Sequence, residues 1–512
     1  MRALLSVHDK DGLVPFARGL ADLGFELVAS GGTATALADA RLPVIPVEDV
    51  TEFPEMLGGR VKTLHPRIHA GILARRSEPE DTRTLEQHGI ALFDLVCVNL
   101  YPFELVAGRL GMTDDDVVEM IDVGGPSLLR AAAKNFADVA AVCRPEDYDA
   151  VLAELRERKG VVSPETRRRL AATAFATTAA YESVIVDWFQ GDEELPETFV
   201  PTFDKVLDLA YGENPHQRAA YYAERGRRTH VLSRAEQLAG KPLSFNNVND
   251  LSMARLLMRE FDHPACVIVK HANPCGVAIA DTIEEAYSRA LAADPVSAYG
   301  GVVVLNQPVT AALGEALAGQ FVELLFAPGY DEQAMEALAA KKGSVRILND
   351  TERRALVETE RDFKRVLGGM LVQDRDWDLP DRARMKVVCG EITKEQWLDL
   401  SFACRVVKHV ASNAIVLARR GQTIGIGAGQ MSRVDAVRIA VEKAQELGHS
   451  IEGAVLASDA FFPFADGPEL ALEAGVSAII QPGGSKRDAE VIDAVSAAGA
   501  AMVFTNRRQF RH

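Results

Sequence analysis

The chain has 512 residues, 48% hydrophobic and 25% charged, with a formal net charge of −17. That length exceeds a single hydrophobic core and predicts two to four domains of ordinary soluble composition. The acidic balance argues against a nucleic-acid binder, and the lack of any apolar run of about eighteen residues argues against a membrane span.

The N-terminal MRALLSVHDKDGL reaches charged residues by His8 and lacks the apolar core of a secretory signal, so a cytoplasmic protein is expected. ALLSV (3–7) and FELVAS (25–30) read as buried strands, with the amphipathic GLVPFARGLADLG (12–24) between them. SGGTATALADA (30–40) then opens a helix through two glycines. Free N–H groups at such a start attract phosphate, and Thr33 adds a hydroxyl donor. GGRVKTLHPRIHAGIL (58–73) gathers Arg60, Lys62, His65, Arg67 and His69 in this acidic chain. Pro54 and Pro66 with Gly58, Gly59 and Gly71 predict a loop there, and cations among glycines make it a candidate anion cradle.

LFDLVCVNLYPF (92–103) is an apolar run closed by Asn99 and Tyr101. MIDVGGPSLLRAAAKN (120–135) predicts a strand ending at Asp122 and a glycine-opened helix. Strand ends facing the basic loop would bring tyrosine, aspartate and lysines together for proton transfer. DVAAVC (138–143) reads as a strand and PEDYDAVLAELRERK (145–159) as a helix. SPETRRRLAATAFATTAAYESVIVDWF (163–189) is a long helix opened by Ser163, Pro164 and Glu165. This alternation predicts a parallel sheet covered by helices on both faces. The acidic FQGDEELPETFVP (189–201) marks a domain boundary near residue 195.

Beyond it, ACVIVKHANPCG (265–276), GGVVVLN (300–306), TIGIGAG (423–429), AVLASDAFF (454–462) and SAIIQPGG (477–484) are strand-like. A polar region around 341–395 divides them into two groups, which predicts two α/β units without a visible sequence repeat. Lys270 and His271 fall at the C-terminal end of a buried strand, the edge where open α/β sheets bind ligands. A lysine there stabilises an oxyanion, and a neutral histidine accepts a proton near pH 7. YGENPHQRAAYY (211–222) and VSAYGG (296–301) are polar turns whose aromatic rings can stack on a flat ligand.

IGIGAGQMSRVDAVRIA (424–440) and IIQPGGSKRDAEVIDAV (479–495) are two more glycine-opened helix starts. Four such junctions and a basic loop predict small phosphorylated ligands at more than one site. Gln430 replaces the third glycine of a dinucleotide fingerprint, and no P-loop lysine motif occurs. The six cysteines lack C-x-x-C spacing, and NPCG has neither a second cysteine nor an H-x-E, so neither disulfides nor metal are expected.

Taken in order from SVHDKDGL to TNRRQFRH, these motifs resemble the family of bifunctional purine-biosynthesis enzymes that join AICAR transformylase to IMP cyclohydrolase. SGGTATAL, GGRVKTLHP, NLYPF, IDVGG, AAAKN, YGENPHQ, VKHANPCG, GIGAGQMSR, SDAFFPF and PGGS carry the resemblance. It implies a cyclohydrolase domain over 1–195, of the methylglyoxal-synthase-like parallel-sheet fold. It implies a transformylase over 196–512, built from two cytidine-deaminase-like α/β units without zinc that meet around 341–395. The implied chemistry is formyl transfer from 10-formyltetrahydrofolate to AICAR, then dehydrative closure of formyl-AICAR to IMP, with no metal.

By the same resemblance, Ser6, Lys10, Ser30, Gly31, Gly32, Thr33, Arg60 and Thr63 would hold the nucleotide phosphate and its surroundings. Asn99, Gly124 and Gly125 would also contact substrate, while Lys62, Tyr101, Asp122 and Lys134 would carry the ring closure. In the transformylase, His271 would be the general base and Lys270 its electrostatic partner, with Asn413 nearby. Tyr211, Asp250, Arg433, Asp459, Arg508 and Phe510 would bind AICAR or shape its pocket, and Tyr299 and Gly300 would lie in the folate region. A homodimer sharing the transformylase sites is implied.

Three positions depart from the family pattern. Ala210 stands where an arginine often helps hold the AICAR phosphate, leaving more of that task to Arg508. His8 replaces a frequent serine near the cyclohydrolase phosphate, and Tyr299 a frequent phenylalanine. A nucleotide-binding sensor without turnover, or a cyclohydrolase with an impaired transformylase half, are the alternatives.

Overall fold

The computed structural model describes residues 1–109, 111–191, 195–225, 232–340, 345–350, 360–378 and 380–512. The chain divides into two compact units, the first Met1–Thr202 with Glu224–Gly226 and the second Phe203–Ala223 with Arg227–His512. Among the described residues no helix is long and apolar enough to cross a membrane.

The first unit is built on five parallel strands. Their order across the sheet is Val44–Pro46, Glu26–Ala29, Arg2–Val7, Leu95–Asn99 and Ala140–Val142. Side chains alternate between faces along a strand. Ala3, Leu5 and Val7 therefore enter one core with Leu13, Phe16 and Leu20, while Leu4 enters another with Val28, Val96 and Leu128. Burial on both faces explains the nearly unbroken apolar runs of the sequence. The order in which strands are added reverses between Arg2–Val7 and Leu95–Asn99, which themselves run parallel. The crevice beyond their C-terminal ends is where such a sheet binds ligands.

Two predicted elements of this unit come out differently. Only the first part of the basic stretch is a loop; Pro66–Leu73 is a helix. Proline is favoured in the first helical turn, and the His65 ring accepts a hydrogen bond from Arg67 N at 3.2 Å. Gly71 does not break this helix. It lets the helix approach so closely that a Cβ there would lie 2.5 Å from the Ala91 carbonyl. Asp122 ends no strand. It lies between the helices Asp114–Val118 and Gly124–Lys134, and Met120 and Ile121 pack on a small cluster of Phe103, Val117, Tyr181 and Ile185. Two apolar residues there fill a local gap where a sheet strand was expected.

The second unit holds one sheet of twelve strands. Their order is Lys386–Cys389, Ala501–Phe504, Ala478–Gln481, Val455–Ser458, Ile415–Arg419, Gln422–Gly427, Asn273–Ile279, Ala265–Lys270, Gly301–Leu305, Val322–Ala327, Arg346–Asn349 and Glu236–Ala239. The two halves join at an antiparallel seam where Ala278 faces Gln422. One face carries a core continuous across the seam, from Val267 and Val302 to Val416 and Ala457. The other face carries two separate cores, one per half.

The halves repeat one another in backbone more than in sequence. Each starts with a strand and a helix closed by a capping box, Ser244 with Asn247 and Thr393 with Gln396. Each has a strand glycine pressed on a helix. A Cβ at Gly276 would lie 2.0 Å from Ala290 O, and one at Gly425 would lie 2.1 Å from Ala440 O. What recurs is therefore the place of close approach, which an eye searching for similar side chains passes over.

Candidate functional sites

In the first unit the ends of the central strands converge. The Asn99 carboxamide accepts from the amides of His8 and Asp9 and donates to Asp9 O at 2.9 Å. Thr33 Oγ1 is bound both ways to the Val7 backbone, and Ser6 Oγ meets Ser30 Oγ at 2.8 Å. Lys10 donates to Val7 O and His8 O, and the His8 and Tyr101 rings meet edge-on at 5.2 Å. The basic loop folds over this edge. Lys62 Nζ comes so near Gly31 that a Cβ there would lie 2.7 Å away, and Thr63 Oγ1 likewise crowds Gly124 at 2.6 Å. Gly31 adopts a left-handed φ of 45°, and at both positions the missing side chain leaves room for the loop.

The electrostatics of this cluster suit proton transfer. Burial pushes the Asp122 carboxyl up, opposed by hydrogen bonds from Gly125 N and the Tyr101 backbone and by the charges of His8 and Lys62. Tyr101 is also pushed up, first by burial and then by Asp122 and Glu55. Burial lowers Lys10, helped by Lys62 and opposed by Asp9. Tyr181 donates to Met120 O at 2.9 Å and accepts from Asp122 N at 2.8 Å; burial raises its phenol to about 12. Tyr181 and Glu55 are contributors that no motif had marked. A tyrosine deep in a 27-residue helix carries no sequence signal of its role.

Not every expected residue joins this cluster. Arg60 pairs with Glu119 on the surface. Lys134 is exposed at the far end of the helix Gly124–Lys134. Ten residues at about 1.5 Å each place its backbone roughly 15 Å along the helix from Gly124.

In the second unit, Lys270 ends its strand and donates to Tyr299 O at 2.7 Å. His271 and Ala272 follow in left-handed conformations, with φ of 51° and 60°. Asp250 holds this turn by accepting His271 N at 3.1 Å and Ala272 N at 2.8 Å. Burial pushes Asp250 up, against those hydrogen bonds and the His271 charge, with Glu323 adding to the rise. Gly300, at φ 73°, donates to Phe321 O and turns Tyr299 outward against the Phe321 ring at 5.0 Å.

Across the seam, Asn413 accepts from Arg433 Nη2 at 2.7 Å and donates to Gln430 O at 2.8 Å. Arg433 also donates to Ser458 Oγ at 2.8 Å and pairs with Asp459. With 7% and 1% exposure, Arg433 and Asp459 form a buried frame that orients Asn413. Asn273 Oδ1 accepts Ala411 N at 2.9 Å, so the histidine turn and the asparagine segment meet. The C-terminal tail is tied in through Gln509 N to Asp459 O, Arg511 N to Ser412 Oγ and Arg511 Nη1 to Ala272 O. The tail held by these bonds carries Arg508 and Phe510, the guanidinium 4.4 Å from the ring. Tyr211 lies at the start of the helix that carries Asp250, its carbonyl accepting Phe245 N. Arg511 and Ser412 are the structural ties that sequence reasoning overlooked, although Arg511 stands next to Phe510. A cavity of about 230 Å³ behind Lys270 and His271 is lined also by Asn273, Asp294 and Lys443.

Of the four glycine-opened helix starts, one has the open amides expected of a phosphate cradle. At Gly31–Asp39 no side chain caps the helix, and Ser30 Oγ is turned to Ser6 instead. At the second, Asp122 accepts Gly125 N at 2.7 Å. At the fourth, Asp488 accepts Gly484 N at 2.7 Å and Ser485 N at 3.1 Å. At the third, Gly425 and Gly427 serve helix packing, since a Cβ at Gly427 would lie 1.9 Å from Ala436 O. Among the described residues no group of three or more His, Cys, Asp or Glu is arranged to hold a metal ion.

The chain matches the family model of the AICARFT/IMPCHase bienzyme over residues 132–443 and that of the MGS-like domain over residues 12–127. It is 48% identical to the bifunctional purine biosynthesis protein PurH of Oceanobacillus iheyensis, covering 100% of this chain and 99% of that one. The protein of the same name from Cereibacter sphaeroides is 50% identical, covering 100% and 98%. A solved structure described as the crystal structure of ForH is 40% identical over 37% of this chain and 96% of its own, with a TM-score of 0.35.

Proposed function

Because the chain belongs to the family of bifunctional purine-biosynthesis enzymes, AICAR transformylase joined to IMP cyclohydrolase, we propose that its two clusters divide the two reactions. Ring closure is assigned to the crevice of the first unit and formyl transfer to the seam of the second.

In ring closure the carboxamide nitrogen of formyl-AICAR attacks the formyl carbon and loses a proton, leaving negative charge on the formyl oxygen. That oxygen takes up this proton and the one on the formamido nitrogen and departs as water as a carbon–nitrogen double bond forms. Lys62 supplies a cation beside that oxygen, and Tyr101, kept protonated by its raised pKa, supplies a hydrogen bond. Asp122, whose buried carboxyl exchanges its proton closer to neutral pH, accepts the carboxamide proton. The open amides of Gly31 and Gly32, with Ser6, Lys10, Ser30, Thr33 and Thr63 around them, take the phosphate.

In formyl transfer the amine of AICAR attacks the formyl carbon of 10-formyltetrahydrofolate. A carbon–nitrogen bond forms, the bond to the folate nitrogen breaks, and the amine proton passes through His271 to the departing tetrahydrofolate. Lys270 stabilises the oxyanion that forms between these steps. The observation that carries this assignment is the meeting of the His271 turn with the Asn413 segment through Asn273 and Ala411. The reading includes a homodimer with its transformylase sites at the interface. Val296, Tyr299 and Met431, exposed by 71%, 60% and 94% beside that cluster, support it. It also includes a cytoplasmic location, since phosphorylated substrates do not cross a bilayer unaided.

Half-reaction assays test the division. His271→Ala is expected to abolish formyl transfer while closing supplied formyl-AICAR at the normal rate, and Lys62→Gln is expected to do the reverse. Loss of both activities in either well-folded variant would refute the assignment.

A further inference from the structure

The hairpin that carries His271 has a counterpart in the other half of the twelve-stranded sheet. Strand Ala265–Lys270 returns through His271 and Ala272 into Asn273–Ile279, and strand Ile415–Arg419 returns through Arg420 and Gly421 into Gln422–Gly427. All four turn residues are left-handed, at φ 51° and 60° in the first turn and 52° and 68° in the second. In each half the helix with the capping box supplies an aspartate six residues beyond its cap, Asp250 after Ser244 and Asp399 after Thr393. The bonds match atom for atom. Asp250 Oδ2 and Oδ1 accept His271 N at 3.1 Å and Ala272 N at 2.8 Å. Asp399 Oδ2 and Oδ1 accept Arg420 N at 2.8 Å and Gly421 N at 2.7 Å. Five residues beyond His271 and Arg420 come Gly276 and Gly425, the strand glycines pressed on their helices.

The two copies do not share the same chemistry. Arginine offers no proton acceptor, so the second turn cannot act as a base. It also lies at the far end of Gln422–Gly427 from Gly427, which pairs with Ile415 beside the Asn413 segment; that strand spans roughly 17 Å. Two-residue left-handed turns favour asparagine–glycine, because few side chains tolerate the conformation. The second turn has its glycine at 421, whereas the turn of His271 has Ala272 there and depends the more on its aspartate. Both oxygens of Asp250 are engaged with backbone amides, as are those of Asp399 under a turn with no reacting group.

We propose that Asp250 is a positioning residue of formyl transfer, which fixes His271 through the backbone of its turn and makes no contact with AICAR. The family resemblance placed Asp250 among residues that bind AICAR or shape its pocket, and the repeated device selects the second role. The inference rests on the assignment of His271 as the base. A misplacement of about 1 Å at a reacting group is enough to lose on the order of 10²-fold in rate.

Asp250→Asn keeps the shape of the side chain but turns an amide donor toward one of the two N–H groups. In formyl-transfer assays on the full-length protein its kcat is expected to fall roughly 10-fold to 100-fold, with the KM for AICAR within about twofold of the parent's. Asp399→Asn makes the same change under the turn without chemistry, so it should lower the melting temperature and leave formyl transfer at the parent's rate. Closure of supplied formyl-AICAR should be unaffected in both variants. Ala272→Gly gives the turn of His271 the glycine of its counterpart, and in that background Asp250→Asn should cost only a few-fold. A raised KM with kcat retained would make Asp250 a ligand of AICAR and overturn the proposal. An equal loss of formyl transfer in Asp399→Asn, or an undiminished loss in the Ala272→Gly background, would overturn it too. Normal formyl transfer in His271→Ala would instead refute the base assignment on which the inference stands.

Discussion

Asp122 combines two demands that usually conflict. Its carboxylate caps Gly125 N, which favours the ionised form, yet its burial favours the protonated one, and burial prevails. A carboxyl whose folded pKa lies above its unfolded value favours the folded state at low pH and loses that advantage as pH rises through the folded pKa. At neutral pH, Asp122→Asn keeps an acceptor for Gly125 and removes the buried charge. The variant is expected to be at least as stable as the parent in thermal denaturation, while ring closure falls by about 10²-fold or more. In the parent, ring closure should decline as pH falls through the raised pKa of Asp122, and that acid limb should disappear in the variant. A second prediction at this scale concerns Ala210, which is exposed beside Tyr211. Ala210→Arg should lower the KM for AICAR in formyl transfer without raising kcat, since a phosphate contact made equally in ground and transition states acts on binding alone. In the two proposed centres, Lys270 and Asn99 were legible as strand ends, and Arg433, Arg508 and Phe510 only through the family resemblance. Tyr181, Glu55 and Arg511 were not, because each reaches its partners from an element remote in sequence.

Elements account for the misread glycines. Gly31, Gly71 and Gly425 are each a glycine at or near a strand or helix, but serve different ends. Gly31 clears Lys62, Gly71 seats a helix on the Ala91 carbonyl, and Gly425 lets a helix lie on its strand. Only tertiary contacts distinguish a phosphate turn from a packing point, so one cradle stands where several were expected. The packing role has a direct consequence. Gly425→Ala should destabilise the second unit by roughly 1–3 kcal/mol, the usual cost of overpacking, and Gly276→Ala should match it in the other half. Urea denaturation monitored for that unit measures both. Asp488→Ala should cost about 1 kcal/mol through loss of the cap on Gly484 and Ser485, with both activities retained.

At the scale of the molecule, strand and helix alternation announced a parallel sheet in the first unit, and the five strands have that arrangement. The single twelve-stranded sheet of the second unit was harder to foresee. Its halves pair through a short antiparallel seam, and seam pairing depends on edge strands whose partners lie about 150 residues away. The seam nevertheless brings the His271 turn to the Asn413 segment, so the proposed transformylase centre needs both halves. The proposed dimer adds a concentration test. On dilution, formyl transfer per chain should fall as dimers dissociate, whereas ring closure per chain should persist. The most direct measurement of the whole account follows the products formed from AICAR and 10-formyltetrahydrofolate over time. Two centres working in turn predict formyl-AICAR as a transient and IMP as the end product. Accumulation of formyl-AICAR without IMP, or no consumption of AICAR at all, would contradict it.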